Sequence, residues 1–207
     1  MKKLFFAAAA ALLLTGCSAG VKTDGSDILL DSVGVRVDLP DGWKIITGSA
    51  VYDEAASSSG EYESGSEMKK ACEKAGQRYL AIGKTVEGDV VCTVSQQDLT
   101  IDVDGNKIDP TDAGELARST HDSLVFDCFL IGLRTGSDSV FEELSLGGNN
   151  AWLSHFEAFY SEEDGGEMVF GTTEYTIENG TDVYFVQVTY LSEEARAQAE
   201  QIVLSAE

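Results

Sequence analysis

Residues 140–191 read VFEELSLGGNNAWLSHFEAFYSEEDGGEMVFGTTEYTIENGTDVYFVQVTYL. Four β-branched and aromatic runs, Val140–Leu146, Ala151–Tyr160, Met168–Ile177 and Val183–Leu191, are separated by Gly147-Gly148, Glu162-Glu163-Asp164-Gly165-Gly166 and Asn179-Gly180. Short runs bounded by turn residues of this kind predict consecutive antiparallel strands. The last run places Tyr184, Val186, Val188 and Tyr190 on one side and Val183, Phe185 and Leu191 on the other. A sheet that is apolar on both faces needs cover on both. One cover follows directly. Ser192 stands at the N-cap of a closing helix, Glu193 and Glu194 favour its positive dipole end, and Ala195, Ala199, Ile202 and Val203 form its apolar stripe. The expected fold class is α+β, a mainly antiparallel sheet sandwiched between helices.

Upstream, Val33, Val35, Val37 and Leu39 alternate with Gly34, Arg36 and Asp38 as a half-buried strand does, and Pro40-Asp41-Gly42 turns the chain into a second strand over Trp43–Thr47. Residues 53–67 are rich in Ser, Gly and acids without periodicity and predict a solvated loop. Met68, Cys72, Ala75, Tyr79 and Ile82 recur every three or four residues, which predicts a helix over 68–82. Strands are expected near 89–96 and 98–103, with a turn at Asp104-Gly105. Asp112 and Glu115 form a capping-box pattern ahead of a second helix with Leu116, Thr120, Leu124, Cys128 and Ile131 on one stripe; Val125–Leu133 also fits a strand.

The N-terminus carries a different signal. Met1-Lys2-Lys3 is followed by an apolar stretch, Leu4–Leu14, too short to cross a bilayer that needs about 20 helical residues. Leu14-Thr15-Gly16-Cys17 then resembles the lipobox of bacterial lipoproteins. That resemblance implies cleavage before Cys17, a diacylglyceryl group with palmitate-class chains on its sulfur, and a domain anchored to the membrane and facing outside the cytoplasm. The expected organisation is a signal peptide over 1–16, a tether over 17–27 and one domain over 28–207. Two or more acyl chains, at about 0.8 kcal/mol per buried methylene, hold such a domain on a bilayer.

The 207 residues include 36 acidic and 14 basic side chains, a net charge of −22, and removal of Lys2 and Lys3 with the signal deepens it. So anionic a chain excludes a nucleic-acid partner, since affinity for phosphates comes from Lys and Arg. With Cys17 acylated, Cys72, Cys92 and Cys128 are left, and export permits one bridge. A helix folding back onto a strand at the Gly83–Gly88 turn brings Cys72 and Cys92 together, so that pair is the disulfide candidate; the alternative keeps all three reduced and packed. Cys128 lies in an apolar run and reads as a buried thiol.

Several segments together resemble the PsbP and Mog superfamily of alpha-beta-alpha sandwiches. They are an opening strand ending in Leu39-Pro40-Asp41-Gly42-Trp43, a helix near 112–128, Leu146-Gly147-Gly148-Asn149-Asn150-Ala151 entering a long strand, Glu178-Asn179-Gly180 before Val183–Val188, and a closing helix ending near Ser205. The resemblance covers about residues 28–207. It implies a non-catalytic accessory or protein-binding module and assigns no site residue.

Catalytic patterns are absent beyond the targeting segment: the one Gly-x-Ser-x-Gly spacing, Gly16-Cys17-Ser18-Ala19-Gly20, straddles the expected cleavage site before Cys17, and there is no His-Glu-x-x-His and no phosphate-cradling loop. His121 reads as a surface helix residue and His155 as a structural strand residue. Asp102, Asp104, Asn106 and Asp109 invite a calcium reading, but the sixth and twelfth positions of an EF-hand counted from Asp102 are Lys107 and Ala113, so the pattern fails. No enzyme, metal or cofactor is expected. Two functions follow: a membrane-anchored surface lipoprotein acting as an accessory or protein-binding module, with a protein partner at the membrane surface, or a lipoprotein capturing a small molecule or cation in a pocket lined by Trp152, Phe156 and Tyr175.

Overall fold

The computed structural model describes residues 21–130, 133–136, 139–161 and 167–206. The chain opens with three short strands, β1 (Val21–Asp24), β2 (Asp27–Leu30) and β3 (Val35–Asp38). β4 (Lys44–Thr47) leads into helices α1 (Ala50–Ser59) and α2 (Gly65–Lys74). Strands β5 (Gln77–Lys84) and β6 (Val90–Asp98) precede the long helix α3 (Ala113–Leu130). Then come β7 (Arg134–Thr135), β8 (Val140–Leu146), β9 (Asn149–Ser161), β10 (Glu167–Asn179) and β11 (Asp182–Tyr190), and finally α4 (Glu193–Ala199) and β12 (Val203–Ala206).

The predicted meander is present, β8 pairing β9, β9 pairing β10 and β10 pairing β11, all antiparallel. It is part of an eight-stranded sheet in the order β4-β5-β6-β11-β10-β9-β7, with β8 also on β9; β1-β2-β3-β12 form a second, four-stranded sheet. Helices lie on both faces of the large sheet, as an α+β sandwich requires. On one face the small sheet shares the cover with α4: Ile28, Leu30, Val35 and Val37 pack with Val94, Ile177, Val186, Ala195 and Ala199. On the other, α1 and α2 cover Tyr79 and Ile82, while Leu124 and Cys128 of α3 cover Phe156, Ala158 and Phe170. Each such fully buried aliphatic or aromatic side chain stabilises by about 1.5–3 kcal/mol. The small sheet is keyed to the large one at Gly147, whose φ is +56° and where a Cβ would sit 2.1 Å from the Val33 carbonyl oxygen. Asn149 Nδ2 donates to that same oxygen at 2.8 Å.

Several expectations change in the structure. The helix predicted over 68–82 stops at Lys74, because Gly76 adopts φ +69° and the chain continues as β5. Met68 and Cys72 on the helix nevertheless meet Tyr79 and Ile82 on the strand in one cluster. The apolar spacing therefore marked a shared destination across two elements rather than one helical stripe. The loop expected over 53–67 holds the rest of α1 and the start of α2. Val51, Tyr52, Ala55 and Ala56 give α1 a buried apolar side, and Ser64 caps α2 by accepting from the Glu67 N–H at 3.2 Å. The expected tether over 17–27 contains all of β1. The closing helix ends at Ala199; beyond it Val203 is 53% exposed and pairs with Asp38 of β3. In α3 the buried stripe is Ala113, Ala117, His121, Leu124 and Cys128, rotated from the expected one. Ile131 of that expected stripe lies outside the described residues.

The Cys72–Cys92 bridge does not form. Cys72, Cys92 and Cys128 are all buried thiols. Cys72 packs with α1, α2 and β5, whereas Cys92 packs with the small sheet on the opposite face. Once Gly76 ends α2, the fold-back geometry that would join the two sulfurs no longer exists.

Candidate functional site

The described residues contain no group of three or more His, Cys, Asp or Glu side chains able to hold a metal. Asp102 accepts from the backbone N–H groups of Asp104 and Asn106 and from Asn106 Nδ2, and these hydrogen bonds, that of the Asn106 side chain foremost, hold its carboxyl below the ordinary carboxylate range. The acidic turn is thus closed on itself. Trp152, Phe156 and Tyr175 do not line one pocket: Phe156 is fully buried under α3 beside Phe170, Trp152 packs near Ala113, and Tyr175 packs on the small-sheet side.

His121 is buried, contrary to the surface position its polar neighbours suggested. Its Nδ1 meets Ser154 Oγ at 2.7 Å and its Nε2 meets Ser139 Oγ at 3.1 Å. Burial is the main cause that lowers its pKa, with Asp122 opposing and Arg118 assisting, so the ring is neutral at neutral pH. Ser154 stands opposite Glu174 on β10, which is 2% exposed and accepts from Gln187 Nε2 at 3.0 Å. Burial pushes the Glu174 carboxyl up to about 7 against the pull of that hydrogen bond. Thr172 and Thr176 flank it, making a buried polar belt beneath the helices.

On the opposite face a second cluster lies beside α4. Glu157 of β9 is 5% exposed. Tyr190 of β11 donates its hydroxyl hydrogen to Glu157 Oε1, and Arg196 Nη1 lies 3.2 Å from the same oxygen. Burial foremost, with the Glu157 hydrogen bond, raises the Tyr190 pKa. Next to this cluster is a recess of about 220 Å³ lined by His155, Thr173, Tyr175, Val188, Ile202 and Leu204, with Tyr190, Arg196, Ala199 and Glu200 completing it. His155 Nδ1 bonds Thr173 Oγ1 at 2.9 Å. Sequence reasoning placed His155 but missed Glu157, Glu174 and Arg196. The available signal was an acidic side chain in the middle of an apolar strand, such as Glu157 between Phe156 and Ala158.

A third feature is exposed. Phe126, Phe129 and Leu130 are 57%, 70% and 63% accessible on α3. Their spacing of three and four places them on one side of the helix, and Leu124 and Cys128 are its buried counterparts.

Residues 1–18 match the family model of the prokaryotic membrane lipoprotein lipid attachment site. The chain is accordingly a lipid-anchored membrane lipoprotein exposed outside the cytoplasm; Cys17 lies outside the described residues, and no helix among those residues is long and apolar enough to cross a membrane. Among solved structures it is similar to the cyanobacterial PsbP of Synechocystis sp. PCC 6803, with 9% identity and a TM-score of 0.48 over 92% of this chain and 98% of that one. It is also similar to LpqN of Mycobacterium tuberculosis, a protein involved in cell envelope biogenesis, with 13% identity and a TM-score of 0.41 over 83% of each chain. No curated protein matches the chain.

Proposed function

We propose that this lipoprotein is a non-catalytic accessory module of the cell envelope, acylated at Cys17, whose domain binds a protein partner at the outer face of the membrane. The observation that carries this reading is the set Phe126, Phe129 and Leu130, three large apolar side chains more than half exposed on one helix of a chain with net charge −22. Contiguous exposed apolar surface rimmed by polar groups marks interaction sites on soluble domains, and acidic Asp122 and Asp127 stand beside this one in sequence. Crosslinking on intact cells followed by mass spectrometry tests it. One membrane partner recovered with the native chain and lost with the Phe126→Ser/Phe129→Ser variant supports the reading. Recovery of the chain alone, or of the same partner with the variant, overturns it. A second reading, capture of a small molecule, is favoured by the recess beside α4.

A further inference from the structure

The recess beside α4 has walls of two kinds. Val188, Ile202 and Leu204 make it apolar, while His155, Tyr175 and Arg196 bring polar atoms to it. Val188 stands opposite Thr173 in the sheet, and Thr173 opposite His155, so three neighbouring strands carry its floor. Two of its polar atoms have no hydrogen-bond partner among the described residues: the Tyr175 hydroxyl and Nε2 of His155. When His155 donates from Nδ1 to Thr173, Nε2 is left as an acceptor. The Arg196 guanidinium, by contrast, is already committed. It lies 3.2 Å from Glu157, 3.0 Å from Glu200 and 3.7 Å from Glu193, so three carboxylates surround one cation.

That balance selects the ligand's charge. An incoming carboxylate would meet a cation already outnumbered by three carboxylates, whereas an ammonium meets that excess negative charge, an aromatic ring, the Tyr175 hydroxyl oxygen and, in the tautomer that donates from Nδ1, His155 Nε2. The volume selects its size: 220 Å³ lies below the 300–1,000 Å³ of pockets that take drug-sized molecules. We propose that this recess binds a small organic amine, with its ammonium group among Tyr175, His155 and Glu200 and its apolar body against Val188, Ile202 and Leu204. The site lies on the sheet face opposite α3. It rests on the small-molecule reading and is independent of partner docking through Phe126 and Phe129.

The test is calorimetric titration of the full lipidated chain in phosphatidylcholine nanodiscs, with empty nanodiscs as the blank and two probes of similar shape and opposite charge, phenethylamine and phenylacetate. The expected result is saturable phenethylamine binding with a Kd of about 1 mM or tighter, as a ligand of this size allows. Phenylacetate should bind at least about tenfold more weakly. Tyr175→Phe removes only a hydroxyl and His155→Gln keeps a polar side chain, and each should weaken phenethylamine binding several-fold while the melting temperature stays that of the native chain. Absence of saturable heat with phenethylamine overturns the assignment, as does phenylacetate binding as tightly as the amine or phenethylamine binding unchanged in both variants. None of these outcomes bears on recovery of a protein partner by crosslinking, so failure here and failure of the docking reading are separable.

Discussion

Tyr190 crosses over Gly171 to reach Glu157. The three residues stand side by side on β11, β10 and β9, and a Cβ on Gly171 would sit 2.0 Å from Cζ of the tyrosine ring. The missing side chain is therefore the channel through which the phenol reaches a buried carboxylate two strands away. Arg196 completes the arrangement from α4 and thereby ties the short helix to the sheet.

Gly171→Ala should destabilise the chain by about 3 kcal/mol, combining overpacking of about 1–3 kcal/mol with a buried carboxylate that has lost a donor. Urea unfolding of both proteins checks this. A midpoint within error of the native one would show that the ring can move aside without cost.

Glu174 sets a pH dependence whose sign can be worked out. Its folded-state pKa, about 7, lies above the ordinary carboxyl value of 4.5. The folded state thus holds the proton more tightly than the unfolded state, so stability from this group is full below the ordinary carboxyl range and is lost as pH rises through about 7. At about 1.4 kcal/mol per pK unit the loss amounts to roughly 3 kcal/mol. Glu174→Gln should flatten the stability profile between about pH 4.5 and 7 and raise the urea midpoint at pH 8. Parallel profiles for the two proteins would contradict the assignment.

The cysteines are expected to be inert while the chain is folded. Burial pushes the thiols of Cys92 and Cys128 up to about 12 and about 11, which suppresses the thiolate that reacts. A thiol-specific chromogenic disulfide reagent should give no fast phase with native protein and should titrate all three after denaturation without reductant. Intact mass of the unreduced chain distinguishes the case directly, since a Cys72–Cys92 bridge would appear as the loss of two hydrogens.

Cys17→Ala should remove the acylation site, and the protein should leave the membrane fraction for the soluble or uncleaved precursor pool. Fractionation with metabolic fatty-acid labelling measures both. Label retained by the variant would place the lipid elsewhere.

The four strands of residues 140–191 and the N-terminal targeting signal were legible in the sequence because both are written locally. Turn chemistry at Gly147-Gly148 and Asn179-Gly180 and alternation between them need no distant partner to be recognised. The same holds for Ser192, which accepts from the Ala195 N–H at 3.0 Å as its position predicts. Around Gly76 the local pattern misled, since helical spacing and a helix-strand turn can send the same apolar residues to one cluster. His121 looked exposed because Asp122 and Ser123 beside it are polar, while the burial of its ring comes from Ser154 and Phe156 on a strand about thirty residues away. The pairing of β12 with β3, the crossing of Tyr190 over Gly171 and the recess beside α4 join segments that no sequence period connects. Local propensity determined the strands, the cap and the anchor of this protein; which of its charged side chains became buried, and against what, was decided only when the two sheets and the helices packed, because burial is a property of the surrounding structure and not of the residue.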